Sequence, residues 1–341
     1  MSTKFTHLKR AAIFLAAISA ASAPAMAHAE WTITNLGTLG GMYSYAWGIN
    51  DSGQVTGYST TAVGDAHPFI TGANGAGMTD PGTLGGSTSY AWGINDAGQA
   101  AGESYMAGHA SYHAFITGTN GAGMTDLGTL GGTFSAANGI NNPGQVVGWA
   151  TTAGNAFQHA FITGANGAGM TDLGTLGGTN SWAYGINDSG QVVGSSTIVG
   201  NASSHAFVTG ANGAGMTDLG TLGGTNSWAY GINDSGQVVG SSTIVGNASS
   251  HSFLYSNGAM IDLNLLAPVA AAGWTGLTAR DINNNGQIVG YGYLNGTQHA
   301  FLLQDVAPSV ASAVPEPETY AMLLAGLGLL GYTARRRKQA A

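Results

Sequence analysis

Three sets of residues in this 341-residue chain have types and spacing that could do chemistry, and each set recurs at a fixed interval. Histidines stand at His67, His113, His159, His205, His251 and His299, separated by 46, 46, 46, 46 and 48 residues. Imidazole ligates metals, but one His per unit spreads the six apart, whereas zinc needs three or four ligands converging on a point. The expectation is that each His opens a strand and bonds a neighbouring turn, and no metal site is assigned to them. Asn-Asp turns at Asn50-Asp51, Asn95-Asp96, Asn187-Asp188 and Asn233-Asp234 set carboxylates beside a Gly bend, the oxygen chemistry of calcium sites. One acid per turn falls short of a calcium ligand set, and Asn, Asp and Gly also make good hairpin turns because they tolerate positive φ. Asp51, Asp96, Asp188 and Asp234 are the calcium candidates on this count.

The third set precedes each Gly-Ile-Asn or its equivalent: Trp47, Trp92, Asn138, Tyr184, Tyr230 and, before Asp281, Arg280. Two positions earlier stand Tyr45, Tyr90, Ala136, Trp182, Trp228 and Thr278. Flat rings stack on the apolar faces of sugars, so Trp47, Trp92, Tyr184, Tyr230 and Arg280 are glycan-binding candidates. The competing expectation is that these side chains fill space between units. Catalysis has thinner support. The chain has no cysteine and no Gly-x-Ser-x-Gly. Paired carboxylates could cleave glycosides, yet Asp126, Asp172 and Asp218 recur identically, whereas an active site is normally unique. Glu103 is the only Glu in the repeats. No catalytic residue and no cofactor is expected. The alternative is a polysaccharide-processing enzyme with a site near Trp47, Trp92, Glu103 and Arg280.

The elements that must position these residues come from a unit of about 46 residues repeated from Trp31 to Leu303. Residues 159–204 and 205–250 differ only at Ile162 versus Val208. A period of this size marks a repeat architecture. Within the unit beginning at His159, His159–Thr163, Met170–Leu176, Ser181–Asn187 and Gln191–Ser195 each alternate with period two, and Gly/Asn/Asp/Ser turns separate them. On this reading Trp182, Tyr184 and Ile186 share one face, and nothing has helical periodicity. Four short strands per unit, six times over, predict an all-β six-bladed propeller, with an open β-solenoid as the alternative. Pairing of the first strand, Trp31–Leu36, with the last, His299–Leu303, would close the ring and leave no edge bare.

Charge narrows the partners. Of eight Lys and Arg only Arg280 lies between residues 30 and 306, against fourteen of the sixteen acids, a net of −13 for that body. Such a surface repels nucleic acid, which needs basic patches, and favours solubility or cations. An exported chain without cysteine has no disulfide staple and depends on core burial. Residues 1–29 have a basic start, an apolar run and small residues at Ala25, Ala27 and Ala29, the layout of a secretory signal peptide. The body is expected over 30–306, followed by a linker over 307–313 and a terminal segment over 314–341. In that segment Val314-Pro315-Glu316-Pro317 precedes an apolar stretch, Thr319–Ala334, and then Arg335-Arg336-Arg337-Lys338. Sixteen helical residues span about 24 Å, marginal against a bilayer core of about 30 Å, with the basic run on the cytoplasmic side.

The His-Ala-Phe tripeptides, the Asp-Leu-Gly-Thr-Leu-Gly-Gly stretches (126–132, 172–178, 218–224) and Gly-Ile-Asn followed by Gly-Gln-Val-Val-Gly (185–194, 231–240) resemble the bacterial extracellular HAF repeat family over residues 31–303. That resemblance implies export and a β-rich repeat, and it names no substrate. The terminal segment resembles the PEP-CTERM sorting signal. It implies a Gram-negative, exopolysaccharide-making host, a membrane helix held before processing, and cutting near Val314, Pro315, Glu316 and Pro317 by an exosortase. Together these give the expected function: an exported, surface-associated, non-enzymatic repeat protein of an exopolysaccharide or biofilm matrix. Its expected partners are exopolysaccharide or surface proteins.

Overall fold

The computed structural model describes residues 33–304. Among them the chain forms six antiparallel sheets, each a meander of consecutive strands. The innermost strands are Gly40–Ile49, Gly85–Ile94, Gly131–Ile140, Gly177–Ile186, Gly223–Ile232 and Trp274–Ile282. Their C-terminal ends converge on one channel, lined in every blade by the Ile and the Asn-Asp or Asn-Asn pair that follow. Second strands run Val55–Thr61, Ala100–Met106, Val146–Thr152, Val192–Ile198, Val238–Ile244 and Ile288–Leu294. Third strands run Ala66–Ile70, Tyr112–Thr117, Gln158–Thr163, Ser204–Thr209, Ser250–Ser256 and Thr297–Leu303. Outer strands complete blades 2 to 5: Met124–Asp126, Met170–Asp172, Met216–Gly220 and Ala259–Asp262. The fold is a six-bladed β-propeller, as the period predicts, and not a solenoid.

Local chemistry sets the turns. In Ala-Asn-Gly the asparagines, such as Asn166 and Asn212, both at φ 54°, sit in the left-handed region that Asn enters at low cost. Gly190 closes the Asn-Asp-Ser-Gly turn at φ +76°. The Gly ending Gly-Gln-Val-Val-Gly has a different reason: a Cβ on Gly194 would collide with the carbonyl oxygen of Trp182 on the neighbouring strand. The core lies between blades. Val147, Ala160 and Ile162 of blade 3 pack against Ala183, Val192 and Phe207 of blade 4. The tripeptide phenylalanines Phe69, Phe115, Phe161, Phe207 and Phe253 are fully buried, each worth about 1.5–3 kcal/mol of transfer free energy.

Four expectations need correction. Among the described residues the first and sixth sheets have three strands. The sixth sheet ends at Thr297–Leu303, and residues 33–38 belong to no strand. The expected closing pair is therefore absent from the described residues. In blade 1 the outer segment makes only the isolated bridge Ile70↔Thr79. There Pro81 stands where Leu127 and Leu173 donate backbone N–H bonds of 2.9 Å to Ala114 and Ala160, and proline has no N–H to give. The expected strand over 170–176 stops at Asp172, because the chain turns through Gly174 at φ +71° to start the next blade. Finally, a short helix, Ala267–Ala271, fills an insertion before the sixth blade. It starts with Pro268 in its first turn, where the missing N–H costs nothing.

Candidate functional site

Every glycan-binding candidate is a β-bulge residue. In each innermost strand the register skips one position: Ala46 pairs with Gly57 and Gly48 with Thr56, leaving Trp47 unpaired. The same skip isolates Trp92, Asn138, Tyr184, Tyr230 and Arg280. A bulge re-aims the side chain and bends the strand, so simple alternation over 182–186 fails at Tyr184. These side chains reach across blade junctions near the channel. Trp47 meets Trp92 edge-on at 5.5 Å between centroids, and Tyr184 meets Tyr230 at 5.9 Å. Asn138 donates through Nδ2 to the Ala183 carbonyl at 2.7 Å. The Arg280 guanidinium lies over the Tyr230 ring at 4.8 Å and the Tyr291 ring at 5.5 Å. A polar cavity of about 280 Å³ lies along Tyr184, Tyr230, Arg280 and Asp281. Burial raises the phenol pKa values of Tyr184 and Tyr230, while the Arg280 hydrogen bond lowers that of Tyr291. The structure thus joins the candidates pairwise, and the blade-packing expectation accounts for much of Trp92, Tyr184 and Tyr230.

The Gly-Ile-Asn and Gly-Gln motifs form a polar ladder around the channel. Asn187 Nδ2 donates to Gln191 Oε1 at 2.9 Å and to the Asn233 carbonyl of the next blade at 3.1 Å. Its Oδ1 accepts from the Gln191 backbone N–H at 2.9 Å. Asn50, Asn95, Asn141 and Asn233 repeat the inter-blade bond at 2.9–3.0 Å. Gln145 extends the network to Asn212 at 3.2 Å. Asn283, in the last blade, bonds Gln287 at 2.8 Å, and no equivalent bond links the sixth blade to the first among the described residues.

Of the calcium candidates, Asp96, Asp188 and Asp234 spend carboxylate oxygens in the same way, while Asp51 enters through its backbone N–H. Asp96 Oδ1 accepts from Asp51 N–H at 3.1 Å, and Asp234 Oδ1 accepts from Asp188 N–H at 3.0 Å. Asp188 Oδ1 and Oδ2 take the backbone N–H and Nδ2 of Asn142 at 2.9 and 3.1 Å. Asn284 Nδ2 reaches Asp234 Oδ2 at 2.6 Å. They ring the mouth of a channel of about 360 Å³. The repeat histidines pair with the outer segment: His67–Asp80, His113–Asp126, His159–Asp172, His205–Asp218 and His251–Asp262 at 2.7–2.9 Å. Each therefore bonds a neighbouring turn or strand, which also places the recurring Asp126, Asp172 and Asp218. His299 has Trp274 edge-on at 6.4 Å instead.

Glu103 opposes Tyr90 across the second blade. Burial raises its carboxyl pKa, and its charge in turn acts on Tyr90 and Tyr112. Arg280 keeps company with Tyr230 and Tyr291, so the structure does not gather Glu103 and Arg280 into one cluster. Asp281 replaces the motif Gly. Its carboxyl pKa is raised by desolvation against the channel wall, opposed by the Ile282 N–H bond, although much of the residue reaches solvent. Sequence reasoning missed Tyr43, which is half exposed and edge-on to Tyr45 at 6.0 Å. Its signal was that only the first unit combines a ring there with rings two and four positions later, the third unit having Phe134 followed by Ala136 and Asn138.

Comparison with known proteins adds the following. Residues 313–338 match the PEP-CTERM protein-sorting motif. Residues 200–302 match a family described as a protein of unknown function, DUF3466. No curated protein matches the chain. The β-propeller domain of the Trilobed protease from Pyrococcus furiosus, described as having an open velcro topology, superposes with a TM-score of 0.52 at 7% identity, covering 77% of this chain and 84% of that one. The acylaminoacyl peptidase of Pyrococcus horikoshii gives 0.47 at 8% identity, covering 76% of this chain and 45% of that one. At such identity the first likeness concerns the fold alone. The sorting motif marks an exported, surface-sorted chain recognised by an exosortase. Val314–Pro317, the signal peptide over 1–29 and the apolar stretch expected to form a membrane helix lie outside the described residues. Among the described residues no helix is long and apolar enough to cross a membrane.

Proposed function

We propose that this protein is a non-enzymatic component of an exopolysaccharide matrix, exported by a Gram-negative cell and sorted to its surface, where its blades bind polymer. The observation that carries the reading is the sorting motif at residues 313–338 on a chain whose body is a repeat propeller. The HAF-like motifs support it, because they do structural work blade by blade: the His–Asp pairs close the outer edge and the Asn–Gln ladder joins blades. Chemistry repeated identically suits a scaffold. The bulge aromatics, presented near the channel, supply sugar-stacking surface. The test is fractionation of host cells followed by cosedimentation of the purified protein with the host's own extracellular polymer, with calcium and then with chelator. Recovery in the surface or matrix fraction with polymer binding supports the reading; absence from both fractions overturns it.

One observation favours an enzyme as the second reading: Glu103 is a half-buried carboxyl whose pKa burial raises, the property of a general acid. Incubation with host polymer would then release reducing ends, and Glu103→Gln would abolish the release.

A further inference from the structure

We propose that a neutral, linear polysaccharide binds along the first innermost strand, on the row formed by Tyr43, Tyr45 and Trp47. The inference rests on the polymer-binding reading above and names its site and ligand class. Three rings occupy alternate positions of one strand here and in no other blade. The equivalent residues are Thr88, Tyr90 and Trp92 in blade 2 and Phe134, Ala136 and Asn138 in blade 3. They are Asn180, Trp182 and Tyr184 in blade 4, Asn226, Trp228 and Tyr230 in blade 5, and Gly276, Thr278 and Arg280 in blade 6. The three rings are 52%, 49% and 57% exposed, while Tyr90, Trp92, Tyr184 and Tyr230 are half-buried. A unique, half-exposed aromatic row breaks the repeat where packing does not ask for it, and a contiguous apolar patch on a soluble surface marks a partner site.

The row is held in place from behind. Tyr45 stacks on Tyr58 at 5.0 Å, Tyr58 meets Tyr90 at 5.0 Å, Tyr90 stacks on Trp92 at 5.8 Å, and Trp92 meets Trp47 at 5.5 Å. With Tyr43 edge-on to Tyr45 at 6.0 Å, six rings across two blades support one another, so little side-chain freedom remains to be lost on binding. From Tyr43 to Trp47 the strand runs at most about 13 Å at about 3.3 Å per residue, bending at the Trp47 bulge, a platform long enough for an extended chain. The rings line none of the cavities described above, and small ligands prefer enclosed concave sites. Charge selects the class. Ser44 and Ala46 separate the rings, so the row carries no ionised side chain. Arg280, the one Lys or Arg of the body, is engaged with Tyr230 and Tyr291. A body of net −13 repels polyanions, whereas the CH faces of neutral sugars stack on rings whose phenol and indole groups bond the hydroxyls.

The test is affinity electrophoresis of the full chain through gels holding a neutral β-glucan, a neutral α-glucan, polygalacturonate or the host's own polymer. The expected result is retardation by at least one neutral glucan and not by polygalacturonate. Binding should weaken at least tenfold in Tyr45→Ala/Trp47→Ala and persist in Phe157→Ala, an exposed ring on another blade. Should the double variant misfold, Tyr43→Ala and the glucan-induced shift of tryptophan emission, compared between wild type and Trp47→Phe, give the same reading. Undiminished binding by Tyr45→Ala/Trp47→Ala overturns the site and leaves polymer binding standing, as does retardation by the host polymer but by neither glucan. No retardation by any polymer overturns both.

Discussion

Replacing Asn187 with alanine should cost far more stability than the same change at Asn283, although both fill the same place in the repeat. Asn187 is 4% exposed. Its Nδ2 donates to Gln191 and to the Asn233 carbonyl of the next blade, and its Oδ1 accepts from the Gln191 N–H and from Ser189 Oγ at 2.8 Å. Four bonds at a net value of about 1 kcal/mol each, with buried partners left unpaired, give a loss of about 3–4 kcal/mol. Asn283 makes local bonds to Gln287 and Asn285, is exposed and bonds no other blade among the described residues. Water replaces what it loses, so its substitution should cost about 1 kcal/mol or less. Urea unfolding followed by tryptophan fluorescence reads both values, and differential scanning calorimetry should place Asn187→Ala roughly 6–16 °C below wild type, at about 2–4 °C per kcal/mol for a body of this size. Equal losses for the two variants would refute the claim that the Asn ladder holds neighbouring blades together.

Gly194→Ala should destabilise by about 3 kcal/mol, since its Cβ would strike the Trp182 carbonyl oxygen, which belongs to backbone and cannot step aside; urea midpoints measure it. Glu103→Gln should be more stable than wild type at neutral pH. The folded carboxyl has a raised pKa, so its penalty is absent below the ordinary carboxylate range and appears as pH rises through the folded value; stability measured from pH 3 to 8 should show the difference vanish in acid. Chelator should leave Tm unchanged, because Asp188 and Asp234 already spend their oxygens on neighbouring N–H groups; a calcium-dependent rise would count against that accounting. Changing Val314-Pro315-Glu316-Pro317 to alanines should block processing, visible as retention of the C-terminal mass in host cells.

What the sequence determined by itself was the period and its consequence. Six copies of a unit with four alternating runs and Gly/Asn turns bury their apolar faces by packing unit against unit, which made the propeller the first expectation and an open solenoid the alternative. The expectation that each His bonds a neighbouring turn holds in five units, where it meets an Asp, and not at His299. Tertiary structure decided the rest. The bulge at Trp47, Trp92, Asn138, Tyr184, Tyr230 and Arg280 depends on which strands pair and where the register skips, and alternation in one strand carries no such information. The lack of a fourth strand in the first and sixth sheets among the described residues depends on which partner lies alongside. The distinction between Tyr184, half-buried at a junction, and Trp47, largely exposed, is likewise invisible in the motif, because identical positions differ only in what the neighbouring blade covers. Sequence spacing fixes what a residue can do locally; burial is a property of the neighbours, and only the folded ring supplies them.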